Sequence, residues 1–557
     1  MKKKINKKMI RNIIIVLVML IIAAAILIFA PNFKKDPNEG KINFIINNNN
    51  VTGKMKQELY IDENGVVYVS MDDIENYFDG QIYYDKENEQ IITTSETKVA
   101  VISLKDKVMK VNGSEVKLLG TAIRKDGIFY IPISELGNVY NIEIENIDNS
   151  VVTVDSLDRE LIKADTTKKV NVKYNTKLIS KTVDKLEAGE KVVVISENDD
   201  WTKVRTANGK LGYVKTKDLT NKTYVRQAIE KEKQITGKIN LVWDYYSEYV
   251  NAPDRTNTTI EGVNVVSPSF FSLKNSDTFS INDNAQRGGE EYINWAKAND
   301  YKVWAMFSNN SMRETTSKIL NSYEQREKMI EEIVSLVIKY ELDGINIDFE
   351  NMNMEDKDVF SRFIIELAPR LREYGKVTSV DVTAPDGSEN WSLCYDRDLI
   401  ANEADYIVFM AYDQYGVSST TPGTTAGADW VETNINKFLG QEAVKKEKLI
   451  LGMPLYTRLW KTDINGKSTS TVVNMNQIEE KIPSANDVAR KWDENTKQYY
   501  VEYDSESYKY QMWLEEATSI REKLNLINKY ELAGGAFWEK DRETNDIWQV
   551  AQEVLNT

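Results

Sequence analysis

The stretch Leu342-Asp343-Gly344-Ile345-Asn346-Ile347-Asp348-Phe349-Glu350 alternates polar with apolar side chains from Gly344 onward. In a β-strand alternate side chains share one face. Asn346, Asp348 and Glu350 therefore lie on one side with Gly344, and Ile345, Ile347 and Phe349 on the other. Two carboxyls spaced in this way repel each other, which pushes one of their pKa values upward. A carboxyl raised toward neutrality can deliver a proton to a reacting oxygen.

Outward from this segment the apolar pattern switches between two periods. Residues 324–340 place Met329, Ile330, Ile333, Val337 and Tyr340 at helical spacing, and residues 356–374 do the same with Val359, Phe360, Phe363, Ile364, Leu367 and Leu371. Gly375 fits a helix stop. Short apolar runs at residues 238–243, 262–267, 302–307 and 377–384 read as strands. Further strand-like runs are Val408-Phe409-Met410-Ala411-Tyr412-Asp413, the segment 449–458 ending Leu455-Tyr456-Thr457-Arg458, and Ala533-Gly534-Gly535-Ala536-Phe537-Trp538. Strands alternating with helices predict an α/β fold, a (β/α)8 TIM barrel with chemistry at the carboxyl ends of its strands. Glu350 sits at such an end.

Taken in order, these motifs over residues 236–557 resemble glycoside hydrolase family 18. Its strand four carries Asp-Gly-x-Asp-x-Asp-x-Glu, its strand six Met-x-Tyr-Asp, matched at Met410, Tyr412 and Asp413, and its strand eight a closing Trp, matched at Trp538. One position departs, since Asn346 stands where the family has Asp. The resemblance implies substrate-assisted hydrolysis with retention, an exception to the usual pair of enzyme carboxylates. Glu350 is expected as the acid, Asp348 as the acceptor of the sugar's acetamido N–H and Tyr412 as the holder of its carbonyl oxygen. Trp538 is expected to form the floor, and Tyr456 and Arg458 to contact neighbouring sugars. Asn346, Asp343, Met410 and Asp413 complete the expected substrate-binding set. Asn346 is expected to donate an N–H to Asp348 and favour its ionised form.

Members of that family act on chitin, peptidoglycan or N-linked glycans. The Asn-containing variant of the strand-four motif resembles that of spore-cortex and cell-wall N-acetylglucosaminidases, which implies cleavage after N-acetylglucosamine in peptidoglycan. A chitinase, or a lectin-like member that binds sugar without turnover, are the other readings. No cofactor is expected. The expected partners are a polysaccharide containing N-acetylglucosamine, the bacterial cell wall and, through the amino terminus, a membrane.

The preceding half of the chain differs in kind. Residues 1–11 are basic, and the uncharged run 12–30 is long enough to span a hydrocarbon core. The basic flank then stays cytoplasmic and the domains lie outside, joined through a linker at 31–40. A cleaved signal peptide is the other reading of the same run, and both export the protein. Residues 41–157 carry a weak repeat, Gly65-Val66-Val67-Tyr68-Val69-Ser70-Met71 against Gly127-Ile128-Phe129-Tyr130-Ile131-Pro132-Ile133. This is similar to the copper amine oxidase N-terminal-like domain. Residues 166–222 read as a small all-β unit similar to the bacterial Src-homology-3-type domain, and 223–235 as a polar linker, helical over 224–233.

Composition excludes several chemistries. The chain of 557 residues has no His and one Cys, so imidazole metal sites, Ser-His and Cys-His nucleophiles and internal disulfides are all ruled out. A net charge of −15 argues against a nucleic-acid partner. Carboxylate chemistry remains.

Overall fold

The computed structural model describes residues 11–22, 38, 40–177, 179–227, 234–441, 443–483 and 488–555. The chain divides into two compact units, residues 1–232 and 233–557.

The second unit is built on strands β1 (Ile239–Asp244), β2 (Val265–Pro268), β3 (Lys302–Ser308), β4 (Gly344–Asp348), β5 (Val377–Val382), β6 (Tyr406–Met410), β7 (Leu449–Pro454) and β8 (Gly534–Trp538). Each pairs in parallel with the next, and β8 pairs with β1, so the sheet closes on itself. The two-residue period then sorts side chains between an interior and an outer layer. Leu241, Trp243, Val265, Trp304, Met306, Val408, Ile450 and Ala536 fill the interior. Ile345, Ile347 and Phe349 face outward onto the helices, and Phe349 stacks 5.8 and 5.7 Å from Phe360 and Phe363. Gly344 is the interior residue at the base of β4, where a Cβ would meet the Val377 carbonyl at 2.6 Å.

The predicted helices form at Tyr323–Lys339 and Lys357–Arg372. Ser322 caps the first by accepting from the Gln325 N–H. Gly375, at φ +67°, takes the left-handed turn that ends the second. Between β7 and β8 the chain inserts a five-stranded antiparallel sheet running from Tyr456 to Leu514. Lys523 and Glu515, both wholly buried, form an ion pair of 2.9 Å at its base, with Gln498 donating to the same carboxylate.

In the first unit the two copies of the repeat become neighbours in one sheet. Strand Val67–Ser70 pairs antiparallel with Ile128–Pro132, and each is followed by a short helical segment. The first strand of this domain, Asn43–Ile46, pairs in parallel with Val151–Ser156 near its end, which ties the domain together. A seven-stranded sheet follows, from Leu161–Thr166 to Leu219–Arg226.

One expectation needs correction. Residues 224–226, read as the start of a helical linker, are the end of strand Leu219–Arg226 and pair with Leu161–Thr166. The β-branched and aromatic side chains of Thr223, Tyr224 and Val225 suit that ladder better than a helix. Residues 228–233 lie outside the described residues. Among the described residues no helix is long and apolar enough to cross a membrane. Of the span expected at 12–30, residues 12–22 are helical and exposed, and 23–30 lie outside the described residues.

Candidate active site

The polar face of β4 points into the barrel and rises to its carboxyl end. Asn346 is wholly buried there, Asp348 stands above it, and Glu350 follows just past the strand. Glu350 is held by its backbone: Asn309 accepts from its N–H at 3.0 Å and donates to its carbonyl at 2.8 Å. One residue earlier the Tyr395 hydroxyl donates to the Phe349 carbonyl at 2.7 Å. Outward packing of Phe349 and these bonds together fix where the Glu350 side chain begins.

Asp348 and Glu350 share a hydrogen bond in which the Glu350 carboxyl donates to Asp348. Burial, then the charge of Asp381, pushes Asp348 up to about 8, against the lowering effect of the Glu350 donor. Burial, then Asp348, raises Glu350 well above the usual carboxyl range. Such a pair in a dry site holds one proton between two carboxyls. That is the state a general acid needs.

Tyr412 follows β6, its ring 6.4 Å from that of Tyr456. Burial, then the neighbouring carboxyls of Asp381 and Glu350, raises its phenol well above the ordinary value, so it remains a hydrogen-bond donor. Trp538 closes β8 half-buried, edge-on to Trp243 at 5.7 Å and tilted against the exposed Tyr245 at 6.0 Å. Met410 lies nearly buried at the top of β6.

Four of the expected residues make contacts that the sequence did not specify. Tyr456 and Arg458 are buried, and both donate to the same Asp413 oxygen at 2.9 Å. They hold the half-exposed Asp413 in place and turn little of their own surface outward. Asp343 is at the amino end of β4, opposite Glu350, where its carboxylate accepts from the Val303 N–H and the Lys302 ammonium. The structure does not bring it to the site. The amide of Asn346 gives both its N–H groups elsewhere, to Ser379 at 3.0 Å and Asp381 at 2.7 Å, and accepts from the Trp243 indole at 2.8 Å. The expected donation to Asp348 is therefore not made, because the partners on β5 lie closer to the amide's own level in the barrel.

Asp381 is the residue that sequence reading passed over. It is 1% exposed on the interior face of β5, with one oxygen on Asn346 and the other without a partner among the described residues. The signal was present: in Val377-Thr378-Ser379-Val380-Asp381-Val382 the polar Ser379 and Asp381 share one face.

Residues 241–543 match the family described as glycosyl hydrolases family 18. The chain belongs to glycosyl hydrolases family 18. It is a glycosidase, and the Asp348, Glu350 and Tyr412 cluster lies at the carboxyl ends of this family-18 barrel's strands. Residues 45–154 match the copper amine oxidase N-terminal domain and 169–220 the bacterial SH3 domain. The former's name brings no copper site with it, since the chain has no histidine.

Among relatives of the family-18 barrel, the uncharacterized glycosylase YvbX of Bacillus subtilis is 27% identical over 292 residues, 50% of this chain and 83% of that protein. The cortical fragment-lytic enzyme of the same organism is 23% identical over 43% of this chain and 56% of its own length. The crystal structure of a chitinase from Chromobacterium violaceum superposes with a TM-score of 0.51 at 21% identity, over 57% of this chain and 99% of that one. At that identity the likeness is one of fold.

Proposed function

We propose that this glycosidase is exported and cleaves the β-1,4 bond after N-acetylglucosamine in peptidoglycan, with retention, using the substrate's own acetamido group. The observation that carries the reading is the buried carboxyl pair at the end of β4, Glu350 hydrogen-bonded to Asp348, with Tyr412 just past the end of β6. Glu350 gives its proton to the glycosidic oxygen as the C1–O bond breaks. The acetamido carbonyl oxygen forms the new bond to C1, and positive charge spreads onto the acetamido nitrogen. Asp348, relieved of its hydrogen bond to Glu350, accepts the acetamido N–H and offsets that charge. Tyr412 orients the carbonyl oxygen, and Trp538 supports the ring from beneath. Water then adds at C1, the ring of the intermediate opens, and the water's proton returns to Glu350.

Peptidoglycan is favoured by relatives whose names include cortical fragment-lytic enzyme, by the SH3-type domain and by the basic, then apolar, amino terminus. Membrane attachment or signal cleavage at residues 12–30 serves that export equally.

The test is incubation of the chain with purified peptidoglycan and, separately, with chitin oligomers, followed by reduction of new ends and their identification by mass. Reducing N-acetylglucosamine released from peptidoglycan, and lost by about 10²–10⁴-fold in Glu350→Gln, is the expected result. Turnover of chitin alone would replace peptidoglycan as the substrate. Binding without turnover of either would overturn catalysis itself.

A further inference from the structure

Resting on that reading, we propose that Asp381 is the second carboxyl of the catalytic centre, supplied from β5 because residue 346 is an amide. It acts as a positioning residue that sets how firmly Asp348 and Glu350 hold their shared proton.

Geometry makes the assignment. The Asp381 carboxylate accepts from the Asn346 amide at 2.7 Å, so the two side chains occupy one level of the barrel interior. A carboxyl at 346 would lie where the Asn346 amide lies, directly below Asp348 on the same strand face. Asp381 therefore sits one hydrogen bond away from the position at which the family carries its additional acid. It is 1% exposed, and its second oxygen has no partner among the described residues. A buried acid kept half-satisfied costs stability.

The groups facing it are few. From β4 and its end come Asn346, Asp348 and Glu350, from β5 itself Ser379, from the end of β6 Tyr412, and from β1 and β2 the uncharged Trp243 and Ser267. No cation is among them. Three carboxyls without a counter-ion cannot all ionise in a dry site. Burial raises Asp381 well above the usual carboxyl range as well; a charge on it opposes the loss of the proton from the pair above it, and its electrostatic effect reaches Asp348 and Tyr412. The Asn346 amide fixes its orientation while it does so.

The arrangement makes a charge exchange the decisive test. In Asp381→Asn the pair should lose its proton more easily, moving the basic limb of kcat/KM down by about one pH unit. In the double variant Asn346→Asp with Asp381→Asn, the new carboxylate can accept from the Trp243 indole, the Ser379 hydroxyl and the new amide, so the interior bonds are kept. The basic limb should return to that of the wild-type chain. A lower kcat in Asp381→Asn with the limb unmoved, or a double variant displaced as far as the single one, overturns the proposal.

Turnover is read on whichever polymer the wild-type chain cleaves. If it cleaves neither, the catalytic reading fails, and the pH dependence of thermal unfolding decides the placement of the carboxyl separately. Loss of stability with rising pH should shrink in Asp381→Asn and return in the double variant; equal pH dependence in all three chains overturns the proposal.

Discussion

Asp348→Asn should make the barrel more stable at neutral pH while removing most of its activity. In the folded chain burial, then the charge of Asp381, pushes Asp348 up to about 8. In the unfolded chain the same carboxyl titrates near 3.9. A folded pKa above the unfolded one means that folding takes up a proton between those values. The contribution to stability is fully present below about pH 4 and is lost as pH rises toward about 8. At pH 7 the difference is about three units, an upper bound of about 4 kcal/mol. Because Glu350 shares the proton, about half of that, ~2 kcal/mol, is the expected effect of the single substitution.

An amide at 348 cannot ionise, yet its oxygen can still accept from Glu350, so the local hydrogen bond survives. Removing the charge also relieves Glu350, which Asp348 helps to raise. Thermal unfolding of wild type and variant across pH 4–8 measures the effect. The curves should meet near pH 4 and separate by about 4 °C at pH 7, at ~2 °C per kcal/mol for a unit of this size. Parallel curves, or a variant less stable at pH 8, would refute the claim that burial and Asp381 oppose the ionisation of Asp348. Turnover should fall by about 10²–10³, since the neutral amide cannot offset the charge that develops on the acetamido nitrogen. Stability gained where activity is lost is the mark of an electrostatically strained site.

Other consequences test the surroundings. Phe349→Ala removes a ring packed between the barrel and the Phe360 and Phe363 helix. It should cost about 3–5 kcal/mol in chemical denaturation and lower kcat, because Glu350 begins at the next residue. Arg458→Met leaves Asp413 without its ion pair. A lost charged hydrogen bond of about 1.5–3 kcal/mol predicts a decrease of roughly 10–100-fold in kcat/KM, and Asp413→Ala combined with it should add little. Lys523→Met strands the buried Glu515 and should destabilise by about 3–5 kcal/mol. Adding Glu515→Leu should recover most of that loss, and a single variant that melts like wild type would contradict the pairing.

The barrel was legible because its information is local. Alternation from Gly344 to Glu350 assigns faces without knowledge of any other strand, and the structure keeps Ile345, Ile347 and Phe349 outside and the polar residues inside. Helix limits at 323–339 and 357–372 follow from caps and apolar spacing within single segments. What escaped depends on pairing between distant segments. Strand 219–226 is stabilised by Leu161–Thr166, and nothing within Tyr224 to Arg226 reveals that partner. Tyr456 and Arg458 both bond Asp413, a partnership between separate strand ends that no single segment reveals. Asp343 carries the motif's first carboxylate, but a strand has two ends, and this one lies at the end that faces away from the chemistry.

Asp381 is the sharpest case. On its own strand it is one acid among apolar neighbours, and only the parallel register of β4 with β5, Asn346 opposite Ser379, brings it beside the amide that replaces the family's acid. The departure at residue 346 and the acid at residue 381 are separate anomalies in the sequence. In the folded barrel they form one hydrogen-bonded pair, and a carboxyl missing from one strand is matched by a carboxyl present on the next.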